Sequence, residues 1–596
     1  MSSPALPRNA LFESWRLFIV FTVILLILVI LLVRLLSLQV FGSQQWIDLA
    51  IENYTKNISS PAPRGIIYDR NGYILARNIA SYNVTITPAN LPDDNADIQR
   101  IYRSVSDLTG ISVGGPVTTD SLNAAKLFAP CVEGPSVSDL VALGDSLAPY
   151  SPVEIKCNVS EEVARLVQEH SSDWPGVNVE ILPIRDYPTG SLTADLLGYL
   201  GPIPAALEQQ LIAKGFVANR DKVGYAGIEL SLQDVLTGQN GKRVIQVDVA
   251  GQELRNLEPP IAPIPGFNVS LTIDTRLQAA AQASLMEEIN YWNRYFYGNS
   301  GQQRISSGVV IAMNPKTGEI LAMVSYPTYE NNRMARFIPS YYYDQLSQDP
   351  RHPLLNNAIQ SEYPPGSVFK LSAANGALNE GVVSGPNQVV FAPGQLLLCE
   401  QFTPNEPCGP NNTRPYVDWI FDTRPAGFGQ IDFLHCIAFS SNVCFYKLGG
   451  GFDDEIKNGG LGIFRLGEYA RALGYGAASG IELPGEANGL IPDPQWKRIN
   501  QGENWSTGDT YIATVGQGFV LATPLQVLMS GETMANSGRL MQPTVVREIA
   551  DSQGKIQTVW FNPRDFSLWM PRLVTDSDGT THQAWVNLGF KQFFQF

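Results

Sequence analysis

The stretch Leu17 to Val33, LFIVFTVILLILVILLV, constrains what this chain can fold into more than any other. It is 17 residues long, carries no charge, and has Thr22 as its only polar side chain. A helix of roughly 20 apolar residues is what crosses a bilayer. Trp15 and Arg16 precede the run, Arg34 follows it, and the apolar LLSLQVF of residues 35–41 lengthens it. A cleaved signal peptide is the alternative. No small-x-small site follows, however, and the run is longer than a signal core. The expectation is an uncleaved single-pass anchor over residues 17–38 with a short tail over residues 1–16. Arg8 and Arg16 place that tail in the cytoplasm. The bulk of the chain is then expected outside it, held at the cell (inner) membrane.

The rest of the sequence is globular in character. A chain of 596 residues has room for more than one domain. Its net charge of −15 argues against a nucleic-acid partner, which calls for a basic face. The six cysteines, Cys131, Cys157, Cys399, Cys408, Cys436 and Cys444, form no CxxC or Cys/His cluster, so zinc is not expected. An even count outside the cytoplasm permits disulfides. Nearest neighbours suggest 131–157, 399–408 and 436–444. Buried free thiols fit Cys436 and Cys444 equally well.

Periodicity and turn chemistry divide the chain. Residues 66–76 read as a hairpin across Asn71-Gly72, and SYNVTITP (81–88) alternates as a strand. EEVARLVQEH (161–170) is an amphipathic helix with Asn158 and Ser160 as candidate caps. Residues 241–254 read as strand, turn, strand. The Pro-rich EPPIAPIPG (258–266) looks like a joint between domains. Beyond it come a strand (268–274), a helix (275–293) and a hairpin (307–314 with 319–327). Helices mixed with antiparallel strands point to an α+β domain.

The chemistry centres on Pro364-Pro365-Gly366-Ser367-Val368-Phe369-Lys370. The prolines disfavour helix before them, and SVFKLSAANGALNEG is a helix pattern ending near Gly381. Ser367 and Lys370 are then i and i+3 on one face. Serine needs a neighbouring base, and a lysine amine serves if burial lowers its pKa. A serine cap beside a solvated lysine is the plainer reading of the same spacing. Ser440-Ser441-Asn442 supplies a second element: a hydroxyl to pass a proton and an amide to orient a peptide. His435, beside Cys436, reads as structural.

Taken in order, these segments resemble a class B penicillin-binding protein. RGIIYDRNG (64–72), RDYPTGSLTADLLGYLG (185–201) and GYAGIE (224–229) are similar to that family's pedestal boxes. LTIDTRLQ (271–278) and NPKTGEILAMVSYP (314–327) are similar to the opening of its catalytic domain. PPGSVFK and SSN resemble its first two catalytic boxes, and TVGQGFVLATPLQ (514–526) the segment before the third. YLGPI (199–203) and LARNIASYNVTITP (75–88) lean to the elongation type over the division type.

The resemblance implies an α+β architecture. An N-terminal transmembrane helix leads to an elongated β-rich pedestal domain over residues 39–262. A transpeptidase domain follows over 263–596, an antiparallel sheet flanked by helices. It implies Ser367 as nucleophile, Lys370 as base, Ser440 as proton relay and Asn442 as substrate holder. The implied partners are peptidoglycan stem peptides ending in D-Ala-D-Ala, β-lactams, and a membrane glycosyltransferase of the shape, elongation, division and sporulation family. No cofactor or metal is implied.

The chain departs from the family at its third box, a Lys-Thr/Ser-Gly that follows the Gly-Gln-Gly segment. Lys316-Thr317-Gly318 precedes Ser367 and reads as a hairpin turn, and no such triplet follows Gly518. The expectation is a transpeptidase domain incomplete at its C-terminus. A non-catalytic scaffold that activates the glycosyltransferase is the alternative, and a β-lactamase or β-lactam sensor a third reading, which the pedestal boxes oppose. Asp195 and Asn357 stand where the family often has His and Arg.

Overall fold

The structure is a computed structural model. It describes residues 14–37, 55–121, 134–147, 149–218, 220–247, 253–298, 303–335, 337–399, 409, 412–453, 455–456, 459–559, 565–566, 569–575 and 581–587. The apolar run forms one helix, Ser14–Leu36, long and apolar enough to cross a membrane. Its aliphatic and aromatic side chains face outward along its length. The hydroxyl of Thr22 donates to the Phe18 carbonyl at 2.7 Å, so the one polar side chain in the run is satisfied within the helix. The helix ends two residues short of the expected span, and residues 38–54 lie outside the described residues.

The folded residues divide into two compact units that do not follow chain order. In the first, residues 82–181 and 240–263 come together. The later part of strand Ile74–Ile86 pairs antiparallel with Val153–Val159, from Tyr82 against Val159 to Ile86 against Val153. Helices Asn95–Thr109, Val137–Leu147 and Glu161–Glu169 accompany it, over a core that includes Val84, Ile86, Val105, Val141, Ile155 and Val167. Of the two candidate caps on the last helix, Ser160 does the capping, accepting from the Val163 N–H at 3.3 Å. Asn158 takes a left-handed turn before it. The two expected strands are present as Gly241–Val247 and Glu253–Asn256, paired antiparallel, with Thr55–Ser60 added on the other edge.

The second unit contains residues 62–81, 182–239 and 264 onward. The hairpin at Asn71-Gly72 forms as expected, because Asp69 accepts from the Asn71 and Tyr73 N–H groups at 2.7 and 2.9 Å. Its first strand, Ile67–Tyr68, runs parallel to Asn268–Leu271, which pairs antiparallel with Val546–Ala550 and through it with Ile556–Val559. Asp274 caps the helix that follows, Thr275–Tyr297. That helix runs past its expected end at Asn293, since Arg294 to Tyr297 keep helical geometry until Gly298 breaks it at φ 59°. The hairpin Gly308–Met313 with Ile320–Tyr326 is a separate two-stranded sheet among the described residues. Lys316-Thr317-Gly318 lies in its turn, where the Thr317 hydroxyl donates to Glu319 at 3.1 Å.

A buried ion cluster ties distant segments of this unit. Glu229 accepts from the Arg64 guanidinium at 2.5 Å and from that of Arg185 at 2.7 Å, all three shielded from water. Burial works against the Glu229 charge, but Arg185 and Arg64 overcome it and hold the carboxyl below the usual range. These residues belong to the three segments that resemble pedestal boxes.

A helical core supports the remaining chemistry. Helices Lys370–Asn379, Asn442–Gly450, Ile463–Ala472 and Thr507–Thr514 pack around Phe369, Ala374, Val443, Phe445, Leu466 and Tyr511. Burying each large apolar side chain contributes about 1.5–3 kcal/mol. Helix Asn442–Gly450 comes close to Thr507–Thr514 because Gly449 has no Cβ; a methyl there would collide with the Thr514 hydroxyl.

Candidate active site

Ser367 stands on a turn that two other segments hold in place. Gly366 takes φ 62°, which glycine adopts without strain, and a 3₁₀ turn, Gly366–Phe369, leads into helix Lys370–Asn379. Pro364 and Pro365 disfavour any helix before the turn. Behind it runs the Gly-Gln-Gly segment. The Gly366 N–H donates to the Gly516 carbonyl at 2.9 Å, and the Tyr363 N–H to that of Ala522 at 2.9 Å. A Cβ on Gly516 would collide with the Gly366 carbonyl oxygen, which is why that position is glycine. Phe369 is fully buried edge-on against Tyr475, so the turn is anchored from inside while Ser367 stays exposed.

Lys370 is buried, 3% exposed. Its ammonium donates to the Ser440 carbonyl at 2.6 Å, the Ser440 hydroxyl at 3.0 Å and the Asn442 side-chain oxygen at 2.7 Å. Burial lowers its pKa to about 8, with the Asp418 charge acting in the opposite sense. An ammonium has three donors, and all three are used here. Once Lys370 is neutral one donor becomes a lone pair. Of the three accepting atoms only the Ser440 hydroxyl oxygen itself carries a hydrogen to donate in return. The structure thus brings Lys370, Ser440 and Asn442 together. The Ser367 hydroxyl makes no hydrogen bond among the described residues.

The Ser440 turn joins helix Phe433–Ala438 to helix Asn442–Gly450. Ser440 itself has φ 50°, left-handed and unusual for a residue with a Cβ. Several bonds hold the turn in that shape. Ser441 caps the second helix, accepting from the Cys444 N–H at 3.2 Å. The indole of Trp419 donates to the Phe439 carbonyl at 3.0 Å. A disulfide joins Cys436 to Cys444 across the turn, with Cα atoms 5.9 Å apart. Of the two readings open for this pair, the bridge is the one that forms. Cys157 and Cys399 are also disulfide-bonded, while Cys131 and Cys408 lie outside the described residues.

Asp418 is the residue that sequence reasoning missed. It follows strand Thr413–Val417, is 2% exposed, and accepts from the Ser441 hydroxyl at 2.6 Å and the Val443 N–H at 3.1 Å. Nothing in the sequence marks it; a single aspartate before a tryptophan has no periodicity or spacing. The His435 ring lies 2.7 Å from Asp432 at the helix start. Asp195 carries a buried carboxyl oxygen without a hydrogen-bond partner, and burial pushes its pKa well up. Asn357 is buried and accepts from the Ser361 hydroxyl at 2.7 Å.

Residues 59–271 match the family described as the penicillin-binding protein dimerisation domain, and residues 308–567 the penicillin binding protein transpeptidase domain. The peptidoglycan D,D-transpeptidase MrdA of Acinetobacter baumannii is 29% identical over 89% of this chain and 69% of its own length. The protein of the same description from Escherichia coli strain K12 is 29% identical over 94% of this chain and 77% of its own. A solved peptidoglycan synthase complex, described as coordinating polymerization and crosslinking, contains a chain that is 27% identical. The match covers 93% of this chain and 83% of that one, with TM-score 0.59. The fold is also similar to that of Helicobacter pylori PBP2 solved in complex with MreC. There the TM-score is 0.63 and identity 24%, over 83% of this chain and 80% of that one. With both of the family's domains matched in order along its length, the chain belongs to the class B penicillin-binding proteins.

Proposed function

We propose that the chain is a peptidoglycan D,D-transpeptidase of cell-wall elongation that works through an acyl-enzyme on Ser367. The observation that carries this reading is Lys370, a buried amine with its pKa near 8 and its hydrogen bonds made to Ser440 and Asn442. A base poised close to working pH is what an unactivated serine requires. The relatives described as MrdA support the elongation type, as do YLGPI and LARNIASYNVTITP.

In the proposed reaction the Ser367 oxygen attacks the carbonyl of the penultimate D-Ala of a stem peptide. Its proton passes to Lys370. The tetrahedral intermediate collapses, the peptide C–N bond breaks, and the proton reaches the departing D-Ala amine through the Ser440 hydroxyl. Asn442 holds the donor peptide. An amine of a second stem peptide then attacks the Ser367 ester, forming the cross-link and restoring the serine. A β-lactam opens on the same oxygen and remains there as an acyl group.

Helix Ser14–Leu36 supports a single membrane span with the bulk of the chain outside the cytoplasm. Similarity to a chain of a peptidoglycan synthase complex supports a membrane glycosyltransferase of the shape, elongation, division and sporulation family as partner. The test is fluorescent penicillin on the detergent-purified chain. The Ser367 peptide is expected to carry the label by mass spectrometry, and Ser367→Ala to carry none. No label on protein with native circular dichroism would overturn the enzymatic reading in favour of the scaffold.

A further inference from the structure

Asp418 is built into the site in a way that packing alone does not explain. Its Oδ2 takes both hydrogen bonds from the Ser440 turn, through Ser441 and Val443. Its Oδ1 is buried and has no hydrogen-bond partner. A buried carboxylate with one bare oxygen is unfavourable unless a charge compensates it. The compensating charge is on Lys370, whose ammonium is raised in pKa by Asp418 against the effect of burial. Three phenols pack here: Tyr416, on strand Thr413–Val417, Tyr446, on helix Asn442–Gly450, and Tyr511, on helix Thr507–Thr514, which burial pushes up to about 12. Burial, and then Asp418 itself, push Tyr446 up to about 12, so that phenol stays neutral at working pH. Asp418 is therefore the negative charge that Lys370 meets.

We propose that Asp418 is a positioning residue with a double role. It fixes the Ser440–Asn442 turn by its two hydrogen bonds, and it supplies the counter-charge against which Lys370 holds a proton between accepting it from Ser367 and delivering it through Ser440. The role rests on the transpeptidase reading, since it gives Lys370 a proton to hold.

The two parts separate experimentally. Asp418→Asn keeps the shape and an acceptor oxygen for Ser441 and Val443 but removes the charge. Ser441→Ala keeps the charge and removes one of the turn's bonds. Lys370 is titrated by competitive acetic anhydride labelling with mass spectrometry, which needs no catalysis. Its midpoint is expected near pH 8 in the parent chain. Asp418→Asn should lower it by about one unit or more, and move the acid limb of penicillin acylation the same way. Ser441→Ala should leave the midpoint in place and lower the acylation plateau. Asp418→Ser serves as a second uncharged variant should the asparagine variant unfold. A midpoint that stays put in folded Asp418→Asn or Asp418→Ser overturns the counter-charge role. Failure of the parent chain to take up penicillin overturns the transpeptidase reading instead, and the Lys370 titration still decides the counter-charge.

Discussion

Single residues carry most of what can be tested about the chemistry. In the proposed reaction the Lys370 amine must be neutral to accept the Ser367 proton, and burial brings its pKa to about 8. The second-order rate of penicillin acylation should therefore rise about tenfold per pH unit below 8 and level off above it, as read by stopped-flow quenching. Lys370→Arg should remove the reaction over this range, because a guanidinium does not deprotonate there. A lowered lysine pKa also has a consequence for folding. The unfolded lysine binds a proton up to its ordinary pKa while the folded one releases it near 8, so this residue's contribution to stability rises with pH through that window. At this scale the sequence was informative wherever a residue came with fixed spacing. Ser367, Lys370, Ser440 and Asn442 were each singled out as candidates by fixed spacing. Asp418 was not, because its role depends on where strand Thr413–Val417 ends relative to helix Asn442–Gly450, and that is a fact of packing.

Elements explain why those residues stay where they are. The turn at Ser440 is held between two short helices, and the Cys436–Cys444 bridge is the covalent part of that hold. Replacing both cysteines with serine should slow penicillin acylation about tenfold at unchanged helix content, because the left-handed Ser440 loses a constraint that offsets roughly 1 kcal/mol of backbone strain. Far-ultraviolet circular dichroism beside the acylation rate checks this. Equal rates for bridged and unbridged protein would contradict it. Local patterning read the elements well where side-chain chemistry sets their ends. The Asn71-Gly72 hairpin and the Ser160 cap are of that kind. It read them less well where tertiary contacts set the end. The 3₁₀ turn before Lys370 exists because Gly366 is bonded to Gly516, a contact across about 150 residues that no local window contains. The bridge at Cys436 was half legible: neighbour order suggested the pairing, but eight residues' separation suits either two thiols in a core or a disulfide.

For the whole molecule, the governing fact is that compact units and chain order disagree. Residues 62–81 and 182–239 belong with the C-terminal residues, and Glu229 with Arg64 and Arg185 is the buried knot among those segments. Glu229→Ala would strand two guanidinium groups away from water. It should destabilise the second unit by about 3–5 kcal/mol, seen by calorimetry as an earlier transition accompanied by loss of penicillin uptake. Sequence patterns showed Ile67–Tyr68 and Asn268–Leu271 as strands but not that they pair, and did not show Val546–Ala550, because alternation records which face is buried and says nothing about who lies alongside. The same pairing has a meaning in time. Strand Ile67–Tyr68 needs Asn268–Leu271, and that strand in turn needs Val546–Ala550. Ribosomes add about 5–20 residues per second, so the earliest strand waits on the order of half a minute for the last of its sheet. Until then the edge left at Asn268–Leu271 is open to any passing strand, and the nascent chain depends on whatever escorts it through that interval.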